Sequence, residues 1–218
     1  KDLMPSNAWV AENGLIENIA LVIQQYRTTR GLSPLKIAII GAPASGKSLL
    51  ADAIAKHYSL HHLFTKAVID EVLKDPANQQ LADEAAAAKD PATGRLNDLH
   101  LALVFKKKLH GWQCQNQGYV IDGFPKNASQ AENIFRPEPD SAAAAAAADE
   151  KGEAAVVDEE IKPDHVFLLE APDDMLRQRV MSMPQSQVTG THNTEEGFGR
   201  RLNRWRAENT PEEGVAQW

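Results

Sequence analysis

Residues 41–48 limit what this chain can fold into more than any other part of its sequence. They read Gly-Ala-Pro-Ala-Ser-Gly-Lys-Ser, which has the G-x-x-x-x-G-K-[ST] form of a phosphate-binding loop. The apolar residues 35–40 before the loop predict a buried strand, and residues 49–56 after it predict a helix. This strand–loop–helix context is the one in which the motif binds phosphate, so it favours a true phosphate-binding loop.

The residue types of the loop indicate how it would bind an anion. Its glycines let the backbone fold closely around the anion, so that successive N–H groups and the start of the helix face the phosphates. Lys47 adds a positive charge for the outer phosphates, and the Ser48 hydroxyl can ligate Mg²⁺. The positions predicted to bind a nucleotide here are Gly41, Ala44, Ser45, Gly46, Lys47 and Ser48.

The composition restricts the partners of such a site. The formal net charge of the 218 residues is −7, which argues against a general surface for nucleic acid or membrane. A phosphate site must therefore be a local basic pocket in an acidic protein. Cys114 is the one cysteine, so no internal disulfide can form, as expected in the reducing cytoplasm. No apolar stretch reaches the length of a membrane span, and because the first residue is Lys1, we expect a piece of a longer polypeptide.

Hydrophobic periodicity predicts strands that alternate with helices, which is typical of a parallel α/β sheet. The predicted strands are 35–40, 59–64, 119–121 and 166–169, and the predicted helices are 15–31, 49–56, 66–74, 96–109, 127–135, a segment that opens at Pro172, and 195–208. Residues 75–93 are rich in alanine and are predicted to be irregular. Residues 137–162 contain Pro-Glu-Pro, seven consecutive alanines and an acidic tract, and they predict a solvated insertion.

Two adjacent histidines, His61 and His62, lie in the second predicted strand. No cysteine or carboxylate follows at the spacing of a metal site. A structural role is therefore favoured over a metal-binding role for both side chains.

A second motif points to a family. Residues 118–126 read Gly-Tyr-Val-Ile-Asp-Gly-Phe-Pro-Lys and closely resemble the Asp-Gly-aromatic-Pro-Arg segment of adenylate kinases. The phosphate-binding loop resembles theirs as well, including Pro43, and the resemblance extends from about residue 34 to residue 208. Three local runs within residues 9–32, 114–119 and 183–192 resemble the axonemal form of the family.

The resemblance implies a P-loop NTPase fold, with helices on both faces of a parallel sheet and a reduced lid. The domain would span residues 34–218, with a helical lead-in at 1–33 and the low-complexity insertion at about 137–162. The family has a fifth strand and a last helix that are not apparent in this sequence. The implied reaction converts ATP and AMP into two ADP with Mg²⁺, and the implied setting is the cytoplasm of a cilium or flagellum, among other axonemal proteins.

Family roles transfer to this chain by position. Asp122 matches the carboxylate that organises Mg²⁺ through water, and Gln130 matches the glutamine that contacts the acceptor adenine. Arg179 matches the arginine near the donor adenine, and Arg201 matches an arginine that closes on the transferring phosphoryl group. The resemblance thus implies catalytic roles for Lys47, Asp122 and Arg201, a metal site at Ser48 and Asp122, and nucleotide contacts from Lys126, Gln130 and Arg179.

Four positions depart from the family pattern. Asp70 and Lys126 stand where the family has arginines that bind the acceptor phosphate, and Met183 and Gly190 align with two lid arginines. Lysine supplies charge without the bidentate fork of arginine, and aspartate would repel a phosphate. A nearby face contains Arg200, Arg204 and Arg206 together with Glu195, Glu196 and Glu208, and it either supplies compensating charge or is a solvated surface.

Two interpretations of function follow. The first is a nucleoside monophosphate kinase with an intact donor half and slow turnover. The alternative is a nucleotide-binding structural module of a ciliary assembly with little or no catalysis. A switch-type GTPase is disfavoured, because the guanine-reading motif Asn-Lys-x-Asp does not occur in the chain.

Overall fold

The computed structural model describes residues 14–91, 94–137, 157–184, 194–210 and 214–215. The chain divides into two compact units, Lys1–Pro34 and Leu35–Trp218. In the first unit, helix α1 (Leu15–Arg30) confirms the helix predicted from the apolar periodicity. It has Glu17 in its first turn and Arg27 and Arg30 in its last, a distribution that complements the helix dipole.

The described part of the second unit alternates strands and helices, as predicted. The strands are β1 (Leu35–Gly41), β2 (His61–Phe64), β3 (Gly118–Asp122) and β4 (His165–Leu169). The helices are α2 (Lys47–Tyr58), α3 (Thr65–Lys74), α4 (Gln79–Ala87), α5 (Asp98–Leu109), α6 (Trp112–Gln117), α7 (Ala128–Phe135), α8 (Asp173–Met181) and α9 (Glu195–Glu208).

The four described strands form one parallel sheet in the order β2-β3-β1-β4. The register pairs Ile39 with Asp122 and Gly41 with Leu169, and it pairs Phe64 of β2 with Asp122 of β3. The carboxyl ends of all four strands therefore lie at one edge of the sheet. This edge is where ligands bind in open α/β sheets, and the loop after β1 and the Asp122 carboxylate meet there.

Helices cover both faces of the sheet, which confirms the predicted P-loop α/β class. On one face, Phe105 of α5 and Phe135 of α7 pack with Tyr119 of β3, all with at most 1% of their surface exposed. On the other face, Ala51 of α2 packs against Ile39 and Val120. At the edge of the described sheet, β4 has three large apolar side chains with exposed fractions of 40 to 53%, namely Val166, Phe167 and Leu168.

Residues 76–87 correct a prediction, since they were expected to be irregular. They form a 3₁₀ turn at Pro76–Asn78 and then α4. The Asp75 carboxylate accepts a hydrogen bond from the Ala77 N–H at 3.0 Å, and the Asn78 side chain donates to the Val72 carbonyl at 3.1 Å. Gln, Leu, Ala and Glu are strong helix formers, but alanines give little hydrophobic contrast, and the periodicity is therefore weak. Helix α6 was not predicted either.

Residues 157–162 also correct a prediction, because Asp158 and Ile161 are buried although Glu159, Glu160 and Lys162 are exposed. The Ile161 side chain is fully buried, and its carbonyl accepts a hydrogen bond from the Tyr119 hydroxyl at 2.5 Å. Asp158 is 8% exposed, and its N–H donates to the Phe135 carbonyl at 2.7 Å. Residues 138–156, which contain the alanine run, lie outside the described residues.

The hydrogen bond between Asp158 and Phe135 brings the two ends of the insertion together, and this makes a deletion testable. Replacing residues 141–156 with a short Gly/Ser linker is expected to leave the thermal midpoint within a few degrees, because loop length enters the closure entropy only logarithmically. Extending the replacement through Ile161 is expected to cost about 2–5 kcal/mol, since it removes a buried side chain from the core. Thermal unfolding of both variants checks this, and equal destabilisation by the two would contradict it.

Candidate nucleotide-binding site

The phosphate-binding loop joins β1 to α2 at the carboxyl edge of the sheet. Gly41 lies so close to β4 that an added Cβ would come within 2.4 Å of the Leu169 carbonyl oxygen, so only glycine fits there. Gly46 precedes α2 with a φ of 100°, in the left-handed region, and Ala44 has a φ of 63°. Left-handed residues between extended and helical ones turn successive N–H groups toward one side of a loop. The predicted loop therefore has the backbone form that an anion site requires.

Lys47 extends across the loop. Its ammonium group donates to the Gly41 carbonyl at 2.9 Å and to the Ala42 carbonyl at 2.6 Å, and it lies 3.5 Å from the Ser45 hydroxyl. Its aliphatic stem runs against Gly123, where an added Cβ would lie 3.1 Å from Lys47 Cε. The glycine of the second motif thus leaves room for the lysine of the first.

The charge of Lys47 is held in an environment that disfavours it. Burial lowers its pKa from 10.5 to about 8, the Asp122 carboxylate opposes the shift, and the cations Arg201 and Lys126 add to it. Two cations from distant parts of the chain therefore act on the loop lysine. A negatively charged ligand would relieve this repulsion and raise the pKa again.

Asp122 lies at the end of β3, as the second motif predicted, and only 9% of its side chain is exposed. Its Oδ2 lies 3.4 Å from Nε2 of His62, which is buried and has no hydrogen-bond partner among the described residues. The histidine interpreted as structural thus borders the predicted metal carboxylate. His62 lies two residues before Phe64, the last residue of β2, which pairs with Asp122, and the pairing of β2 with β3 could not be read from the sequence.

Two predicted arginines reach the loop region. Arg179 of α8 donates to the Ala44 and Ser45 carbonyls at 3.4 and 3.3 Å, so its guanidinium lies against the outside of the loop. Arg201 of α9 is close enough to lower the pKa of both Lys47 and Lys126. The structure therefore places Arg201 near both Lys47 and Lys126, the lysines predicted to contact the donor and the acceptor nucleotide.

Lys126 and Gln130 form one hydrogen-bonded unit. The Lys126 N–H donates to Gln130 Oε1 at 2.9 Å, and Gln130 Nε2 donates to Asp98 Oδ1 at 2.8 Å. The carbonyl of Lys126 accepts from the Asn209 side chain at 2.8 Å. Gln130 is 6% exposed, and these bonds use one of the two N–H donors and one of the two oxygen lone pairs of its amide. Its base-reading role stays a prediction.

The positions that differ from the family pattern have different surroundings in the structure. Asp70 is an exposed residue of α3, and Met183 packs against the apolar cluster of Leu176, Val180 and Phe198. Gly190 lies outside the described residues. In the arginine-rich face, Arg206 donates to Asp173 and to the Ala171 carbonyl, which ties α9 to α8, and Arg204 pairs with Glu208. Met183 therefore serves packing where the family has a charge.

The donor set fits a magnesium ion that is bound mainly by phosphate and water. The described residues hold no group of three or more His, Cys, Asp or Glu side chains placed to bind a metal. Mg²⁺ keeps several waters and commonly uses one or two carboxylates together with substrate phosphates. Asp122, with Ser48 at the start of α2, supplies such a partial set. In the part of the chain that the structure describes, no helix has the length and apolar character that crossing a membrane needs.

Comparison with known proteins agrees with the loop and the sheet. A family model described as an AAA domain matches residues 40–196. The chain is 35% identical to adenylate kinase 7 of Mus musculus and of Macaca fascicularis, over 95% of its own length. It is 30% identical to a chloroplastic adenylate kinase of Zea mays over 72% of its length and 60% of that protein's.

The two animal relatives are much longer than the matched region. The chain spans 37% of the mouse protein and 43% of the macaque protein. The family model nevertheless covers more than half of the chain and includes the phosphate-binding loop and the second motif. The chain therefore belongs to the P-loop family that the AAA-domain model describes, and the predicted kinship with adenylate kinases is confirmed.

Proposed function

We propose that this domain transfers the γ-phosphoryl group of ATP to AMP and releases two ADP, with Mg²⁺ and with slow turnover. The observation that carries the proposal is the convergence of Lys47, Lys126 and Arg201 at the carboxyl edge of the sheet, where Lys126 lowers the pKa of Lys47 and Arg201 lowers the pKa of both lysines. In a protein of net charge −7, such a concentration of cations suits a ligand with several phosphates. The names of the relatives support a kinase.

The side chains divide the work of such a transfer. Lys47 and the loop N–H groups would hold the donor phosphates, and Ser48 and Asp122 would hold a magnesium ion, which would supply neutralisation of the phosphate charge. Arg201 can place positive charge on the transferring group, because it acts on both Lys47 and Lys126. Phosphoryl transfer needs in-line positioning and charge stabilisation more than covalent help, and these residues supply both.

A cilium is the setting we propose, with ATP, AMP and ADP as ligands and axonemal proteins as partners. The support is the similarity to adenylate kinase 7 and the three local runs that resemble the axonemal form. In that setting the reaction would buffer ATP and ADP near the motors.

One observation favours a second candidate, a nucleotide-binding structural module with little catalysis. Met183 packs against Phe198 and Val180. The positive charge of the lid arginine that the resemblance aligns with this position is therefore absent. Asp70 removes another family arginine. A module of this kind would bind ATP through the intact loop without completing the transfer.

The deciding experiment measures ADP formed from ATP, AMP and Mg²⁺ by direct chromatographic quantification. The proposal expects two ADP per ATP consumed and no ADP when AMP is omitted. ADP formed without AMP would instead indicate hydrolysis of ATP, which needs no acceptor. A panel of CMP and dAMP in place of AMP defines the acceptor range. Tight ATP binding without any ADP formation would contradict the kinase and favour the structural module.

A further inference from the structure

Arg95 is a cation near Lys126, and the sequence motifs do not include it. It lies in a short hairpin closed by an antiparallel bridge between Lys89 and Leu96. The Asp90 N–H donates to the Arg95 carbonyl at 2.9 Å, and the Gly94 N–H donates back to the Asp90 carbonyl at 2.7 Å. The backbone of Arg95 is thereby fixed just before α5.

The start of α5 links this hairpin to Lys126. The Asn97 carboxamide caps α5 by accepting the His100 N–H at 2.9 Å. The next residue, Asp98, accepts a hydrogen bond from Gln130, whose oxygen accepts the Lys126 N–H. Arg95 therefore lies three residues before the aspartate that connects the start of α5 to the Lys126 segment through hydrogen bonds.

The charges around Lys126 are mostly positive. Burial lowers the pKa of Lys126 most, followed by the charges of Arg95, Arg204 and Arg201, and Asp98 alone among the neighbouring charges opposes the shift. Arg204 is also held by Glu208, because its Nε donates to that carboxylate at 2.6 Å. Arg95 is thus the cation that acts most strongly on Lys126. Without a ligand these like charges repel one another, so the arrangement suits an anion.

We propose that Arg95 binds the phosphate of the acceptor nucleotide together with Lys126. It would replace the family arginine whose position Asp70 occupies in this chain. This inference rests on the proposed kinase function and assigns the acceptor-phosphate contact to a residue outside both motifs. The guanidinium of Arg95 offers a planar pair of donors that matches two phosphate oxygens, and Lys126 adds a point charge. The ligand chemistry is a phosphate monoester dianion on a nucleoside.

The test compares Arg95→Gln, Arg95→Lys and a matched control, Arg136→Gln. Arg136 is an exposed arginine at the end of α7 whose ion pair is local, with Glu132. Arg95→Gln is expected to raise KM for AMP about 10- to 100-fold, as for loss of a charged hydrogen-bonded contact, and to leave KM for ATP within about twofold. Arg95→Lys should give an intermediate KM for AMP, because it keeps the charge and loses the fork.

Two further measurements distinguish a failure of this inference from a failure of the proposed function. Calorimetric titration with AMP measures acceptor binding directly, so a wild-type protein that makes no ADP would contradict the kinase while the Arg95 comparison still stands. Thermal midpoints of the variants identify a merely structural effect. The inference is overturned if Arg95→Gln binds AMP as the wild type does, if ATP binding falls equally, or if Arg136→Gln shows the same loss.

Discussion

Replacing Arg201 with alanine is expected to lower kcat for ADP formation by about 10³-fold or more, the range found when an arginine that stabilises the phosphoryl-transfer transition state is lost. Arg201 is the cation of α9 that acts on both Lys47 and Lys126, the lysines that we propose contact the donor and the acceptor. Its side chain is exposed, but desolvation lowers its pKa, which indicates that part of the guanidinium is shielded from solvent. Initial rates at saturating ATP and AMP measure the effect.

The neighbouring residue provides the control for Arg201. Arg200 is an exposed arginine on the same helix, and it is not among the charges that act on Lys47 or Lys126. Arg200→Ala is therefore expected to keep kcat within about threefold. The affinity for ATP and the thermal midpoint should stay close to wild type in both variants. A similar loss of kcat in both, or a loss in Arg201→Ala that only follows unfolding, would remove Arg201 from the transition state.

Local signals explain why much of the donor half could be predicted. The phosphate-binding loop is a contiguous motif between an apolar strand and a helix, and Asp122 ends a strand within a second contiguous motif. Gly41 could be predicted as a glycine of the motif, whereas its closeness to Leu169 of β4 is a contact between distant parts of the chain. The parallel sheet followed from the alternation of strand and helix patterns.

The other contacts around the site join distant segments of the chain, and they could therefore not be predicted. His62 meets Asp122 only because β2 pairs with β3. Arg95 reaches the surroundings of Lys126 only because its hairpin precedes α5, which packs beside α7. Neither contact can be predicted from the hydrophobic periodicity of its own segment. The burial of Ile161 at the end of the insertion was not predicted for the same reason, since its carbonyl accepts a hydrogen bond from Tyr119, 42 residues earlier in the chain.

Lys47→Ala is expected to weaken ATP binding by tenfold or more, since it removes a charged contact worth roughly 1.5–3 kcal/mol. The matched control is Lys56→Ala on the same helix, because Lys56 is exposed and pairs with Asp52 one turn away at 2.6 Å. Calorimetry with ATP and Mg²⁺ measures both affinities, and Lys56→Ala is expected to match the wild type. Equal ATP affinity in Lys47→Ala and wild type would exclude the loop lysine from phosphate binding.

The lowered pKa of Lys47 gives the same variant a second, independent readout. In the free protein this pKa is about 8, and bound phosphates would raise it. Binding above pH 8 must therefore restore a proton to the amine. The wild-type affinity for ATP is expected to fall as pH rises from 7.5 to 9.5, approaching tenfold per unit at the upper end. Lys47→Ala lacks the titrating group, so its weaker affinity should stay nearly constant over this range, and parallel profiles for the two proteins would show that another group controls the pH dependence.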